Sequence, residues 1–232
     1  MLFRSKSHLM RCVSMQGLGD RAHSIPRNQK QLRKVELPMK ALLKKLGFAR
    51  PDPVAVSWYA TAVKAARQVE YFTDWGVPDT VDGRFDMISL TSALINRRIG
   101  LVDPKHAARI QELAQDLFDV MFADMDTNLR ELGVSDEGMK HRIKPMASAH
   151  LGRVKAYTDA LSHADPVERL TQCTQALERN IYRTVEDTSG APKLAARMIE
   201  LSLELDGASD DDILNARFVF SHTDEGEGES DD

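Results

Sequence analysis

The sequence predicts an all-α protein: a single compact domain of about seven helices, between a disordered basic N-terminus and a disordered acidic C-terminal tail. Three observations carry that prediction. From Met39 onward apolar residues recur at three- and four-residue spacing, the period of a helix that buries one face. No convincing run alternates apolar and polar residues as a half-buried strand does. Breakers mostly separate the periodic runs, at Pro51-Asp52-Pro53, Gly76-Val77-Pro78, Gly100, Gly133 and Asp206-Gly207.

Each element follows in order. Leu42, Leu43, Leu46 and Phe48 form a short apolar face before the prolines. Val54, Trp58, Tyr59, Ala62, Val63, Ala66, Val69 and Phe72 predict one continuous helix after them. Arg84 to Arg98 predicts the next, closed by Gly100. Asp103-Pro104 is a start signal, a capping carboxylate before a proline at the first helical position. The stripe Ile110, Leu113, Leu117, Phe118, Met121, Met125, Leu129 and Leu132 follows and stops at Gly133. Another stripe runs through Met139, Ile143, Met146, Ala147, His150, Leu151, Val154, Tyr157 and Leu161. Pro145 within it is expected to kink the helix or displace its start. Asp165-Pro166 repeats the start signal before Val167, Leu170, Cys173, Leu177, Ile181 and Val185. Leu194, Met198, Leu201 and Leu205 form a last clear helix, and Ile213 to Phe220 is too short to assign.

The chain has 232 residues and a net charge of −4, distributed unevenly. Residues 1–50 hold 12 basic residues and only two acidic ones, whereas Ser221 to Asp232 hold six acids and two glycines. The expected organisation is therefore a basic extension over 1–38, an all-α domain over 39–220, and an acidic tail over 221–232. Three readings fit the extension: a dispensable segment upstream of a start at Met39, a transit peptide, or a basic arm for nucleic acid or an anionic membrane. No run reaches the 18 or more apolar residues of a membrane span. Cys12 and Cys173 lie 161 positions apart, which offers no disulfide framework and no cysteine metal site.

No phosphate loop, dinucleotide fingerprint, zinc-protease motif or nucleophile elbow occurs. No catalytic residue, metal or cofactor is expected. His150 and Cys173 fall on apolar stripes, where a hydrogen-bonded core histidine and an inert thiol are the ordinary outcomes. Met121, Met125, Met139 and Met146 fit core packing, or an adaptable groove. Asp116, Asp119, Asp124 and Asp126 loosely resemble helical magnesium ligands, which leaves open a magnesium-dependent enzyme acting on prenyl or quinone precursors. A solvated face with an Asp126–Arg130 pair suits them better. Asp126, Arg130 and Arg153 are expected to form a structural charge network. Residues 76–87, GVPDTVDGRFDM, concentrate two glycines, a proline, an arginine and three aspartates. They predict a rigid loop that displays Asp79, Asp82 and Arg84 to a partner, with Asp79 or Asp82 capping a helix that starts at Arg84.

Those residues carry a resemblance. Tyr71-Phe72 with GVPDT, GRFDM and Leu90, then Leu117 to Val134, then Gly152-Arg153 with Ala156-Tyr157, resemble the ubiquinol–cytochrome c chaperone family over roughly residues 54–161. Two positions depart from the pattern: Thr91 stands where a histidine is expected, and His150-Leu151 replaces an aromatic pair. The resemblance implies a non-catalytic assembly chaperone for cytochrome b or an early complex III intermediate, with the ribosome as a further partner. It places the protein peripherally at the inner membrane, in the bacterial cytoplasm or, if residues 1–38 are a transit peptide, on the mitochondrial matrix side. The basic arm supports a second function, a ribosome- or RNA-associated binding module.

Overall fold

The computed structural model describes residues 51–221. The extension over 1–38, the apolar face at 42–48 and the tail beyond Ser221 lie outside the described residues. Eight α-helices and one 3₁₀ turn form the described body, with no strand among these residues. They are α1 (Pro53–Ala66), α2 (Val69–Thr73), α3 (Val81–Ile99), a 3₁₀ turn (Pro104–His106), α4 (Ala107–Glu131), α5 (Asp136–Leu161), α6 (Pro166–Asn180), α7 (Ala191–Gly207) and α8 (Asp210–Leu214). The all-α prediction holds.

Local chemistry sets most of the starts. Asp52 accepts from the Val54 N–H at 2.8 Å with Pro53 in the first turn, and Asp165 accepts from Glu168 at 2.8 Å with Pro166. Ser135 and Ser209 cap α5 and α8 in the same way. These side-chain oxygens satisfy amides that have no partner inside the helix. Gly133 ends α4 at φ +81, a left-handed conformation that costs glycine little.

Helix α3 is the hub. From Phe85 to Ile95 it is buried on every side, because α1, α4, α5 and α7 all pack on it. Ala55, Ala62, Ala65 and Ala66 of α1 are buried where α1 packs on α3. The Thr91 hydroxyl donates to the Ala62 carbonyl at 2.9 Å, so the residue that replaces the expected histidine ties these two helices together. Helix α6 lies against α5 and α7. At the far end Trp58 Nε1 donates to the Ile213 carbonyl at 3.0 Å, and Arg98 reaches the Leu205 and Ala208 carbonyls and Asp210.

Four expectations are corrected. The helix expected from Val54 to Phe72 breaks at Arg67-Gln68, which turns Tyr71 into the core and leaves Val69 exposed. Pro145 does not displace the start of α5, which begins nine residues earlier and runs through it. Pro145 and His141 are both exposed, so the carbonyl that loses its helical donor faces water. Leu151 faces outward while Arg153 is buried, the reverse of what hydropathy suggests. Helix α6 ends at Asn180, so Ile181 and Tyr182 enter the core from the following turn.

Candidate partner-docking site

The loop between α2 and α3 is built to be rigid. The Val77 N–H donates to the Tyr71 carbonyl at 2.9 Å, and Val77 is buried. Gly76 takes φ +69, open to a residue without Cβ. The Trp75 carbonyl accepts from the Tyr182 hydroxyl at 2.8 Å, and Gly190 packs directly on that carbonyl. The cap of α3 is Thr80, whose hydroxyl accepts from the Gly83 N–H at 3.0 Å. The helix therefore starts at Val81 rather than Arg84, and neither Asp79 nor Asp82 caps it. A threonine hydroxyl in an extended residue suits that role as well as a carboxylate does.

The loop presents the three expected side chains to solvent. Asp79 and Arg84 are 55% and 67% exposed and pair with each other at 2.6 Å. The Arg84 hydrogen bond holds the Asp79 carboxyl below the usual range. Asp82 sits in the first turn of α3, where the helix dipole favours an anion. Val81 adds an exposed apolar side chain beside them.

Two residues beyond Arg84 the chemistry changes. Asp86 is buried, and its two oxygens meet two guanidiniums: Arg153 of α5 at 2.6 Å and Arg183 after α6. Arg153 also lies over the Phe85 ring at 5.5 Å, a favourable cation–π geometry. Burial pushes the Asp86 carboxyl up while the two arginines pull it down. Asp86 thus joins the start of α3 to α5 and to the end of α6.

The expected Asp126–Arg130–Arg153 network is divided in two. Arg130 bridges Asp126 at 2.7 Å and Asp136 across the α4–α5 turn, on the surface. Arg153 belongs to the Asp86 cluster. Two sequence blocks noted for their resemblance, GRFDM and Gly152-Arg153, therefore meet in space at Asp86 and Arg153. A carboxylate between the apolar residues Phe85 and Met87 was the available signal, since a buried charge requires a partner.

The aspartates of α4 separate. Asp116 accepts from the Asp52 N–H at 3.1 Å, Asp119 from Gln115 at 2.7 Å, and Asp124 from the Tyr59 hydroxyl at 2.6 Å. Among the described residues no group of three or more metal-ligating side chains converges. Met121, Met125 and Met139 are buried. His150 is buried against Ser89 Oγ at 2.8 Å, where burial, aided by the Arg153 charge, lowers its pKa to about 4.

Beside this cluster a groove of about 300 Å³ runs between α5 and α6, lined by Gly152, Lys155, Asp159, His163, Gln172 and Arg179 among others. The described body is thus all-helical, with a rigid charged loop, a buried charge cluster and an open groove. A sequence profile described as Ubiquinol-cytochrome C chaperone matches residues 73–220. The chain belongs to that family. It is similar to the crystal structure of the Cbp3 homolog from Brucella abortus, at 31% identity and a TM-score of 0.63, covering 79% of this chain and 96% of that one. No curated protein matches.

Proposed function

We propose that this chain is a non-catalytic assembly chaperone that holds cytochrome b, or an early intermediate containing it, during assembly of respiratory complex III. The observation that carries the reading is the family match, which begins at the docking loop and extends through the Asp86 cluster to Phe220. The preorganised loop supports it. Asp79, Asp82 and Arg84 stand on a turn locked from two sides, so a partner meets them without an ordering cost. Among the described residues no helix is long and apolar enough to cross a membrane, and a peripheral position beside the inner membrane suits a client that spans it. The similarity to a bacterial structure favours the cytoplasmic face of a bacterial membrane.

The test is affinity purification of the tagged full chain from mildly solubilised membranes, with mass spectrometry of what accompanies it. Cytochrome b enriched over the remaining complex III subunits is the expected result. Recovery of ribosomal proteins alone, or of no membrane protein, would overturn it. Arg84→Glu, which sets two like charges side by side on the exposed loop, is expected to lower recovery of cytochrome b at least several-fold without unfolding the body.

A further inference from the structure

We propose that the groove between α5 and α6 binds an extended acidic segment, and that its occupant is this chain's own C-terminal tail, residues 222–232. The reading is independent of the identity of the client.

The groove carries a cationic excess. Lys155 and Arg179 line it against one carboxylate, Asp159, with His163 beside them. Lys155 and Asp159 pair across one turn of α5 with both side chains more than half exposed, a contact weak enough to exchange. Arg179 is exposed and pairs with no carboxylate among the described residues. After α6, Arg183 shares the carboxylate of Asp86 with Arg153. Gly152 leaves open space where a side chain would project, which allows an extended backbone to lie close.

The tail matches in charge and in reach. Asp224, Glu225, Glu227, Glu229, Asp231 and Asp232 supply six carboxylates, with no lysine or arginine among them. Its point of departure is defined: Ser221 is held on α7, its N–H donating to Glu204 at 2.9 Å and its carbonyl accepting from Arg197. Helix α7 packs along α6, one wall of the groove. Eleven extended residues span about 36 Å, more than the roughly 22 Å length of α6. A tether of this kind supplies an effective concentration in the ~mM range, so exposed pairs that are weak singly suffice together.

Zero-length carbodiimide coupling on the full chain tests this, because it joins a lysine amine to a touching carboxylate. The expected product is Lys155 joined to tail carboxylates within one chain. Its yield should fall several-fold between about 10 mM and about 1 M salt, as the screening length shrinks from about 30 Å to about 3 Å. Arg179→Glu should lower it similarly at low salt, with circular dichroism confirming the fold. Equal coupling of the tail to Lys64, Lys105 and Lys193, or a yield indifferent to Arg179→Glu, would overturn the proposal. So would products joining isotopically distinct chains in a mixture, which would make a second copy the occupant.

Discussion

Arg153 on α5 lies 2.6 Å from Asp86 on α3, and the two side chains are only 6% and 2% exposed. Their helices are joined by a buried charge pair at the point where the α2–α3 loop enters the core. Such a pair is costly to break, because removal of one member strands the other in a medium that solvates it poorly. Asp86→Ala leaves both Arg153 and Arg183 without their carboxylate and is expected to cost about 3–5 kcal/mol. Arg183→Ala, which removes the more exposed guanidinium, is expected to cost on the order of 1 kcal/mol. Urea unfolding midpoints of the two variants measure the difference. A midpoint for Asp86→Ala equal to that of the unmodified protein would remove this cluster from the stability of the fold.

Two helical glycines should respond to the same substitution with opposite signs. A Cβ at Gly83 would run into the Pro78 carbonyl oxygen, a backbone atom that cannot swing away. A Cβ at Gly152 meets nothing within 4 Å. Gly152→Ala is therefore expected to stabilise by about 0.5–1 kcal/mol through backbone entropy. Gly83→Ala is expected to destabilise despite the same intrinsic gain, and to loosen the α2–α3 loop. Thermal melting should rank Gly152→Ala above the unmodified chain and Gly83→Ala below it.

His150 makes stability depend on pH. Burial, with the Arg153 charge second, depresses its pKa from 6.5 to about 4, so the folded state holds it neutral while the unfolded state accepts a proton. Its contribution is complete above about pH 6.5 and is lost as pH falls toward 4. The slope is about 1.4 kcal/mol per pH unit, or about 3 kcal/mol across the window. Denaturant titrations at pH 7, 6, 5 and 4.5 should show that slope, and His150→Gln should flatten it. An unchanged slope in the variant would assign the acid sensitivity to the carboxylates.

Cys173 is buried on α6, and burial pushes its thiol up to about 11. A thiol that stays protonated and unreachable is a poor nucleophile. In a Cys12→Ser background the folded protein at pH 8 is expected to resist iodoacetamide for hours and to label fully once unfolded in guanidinium. Rapid labelling of the folded form would place Cys173 in a region that opens readily.

The architecture was legible because helices announce themselves locally. A proline after Asp52 and Asp165, a glycine at 133 and apolar stripes at helical spacing determine where helices form and which face turns inward. These features act within one or two turns, so a linear reading contains them. The break at Arg67-Gln68 escaped that reading because packing of Tyr71 into the core decided it.

Side-chain partnerships belong to the tertiary structure alone. Asp126 and Arg130, one helical turn apart, do pair, whereas Arg153, expected in the same network, does not join them. Folding instead brought Arg153 to Asp86, 67 positions away, since α3 is enclosed by other helices and a charge within it must be met from another element. The same holds for Trp75, whose carbonyl is satisfied by Tyr182 from 107 positions away. Composition and periodicity determined that this chain is a helical body with charged ends. Only packing, which couples residues through burial rather than through sequence distance, decided how its α2–α3 loop is held and where its groove lies.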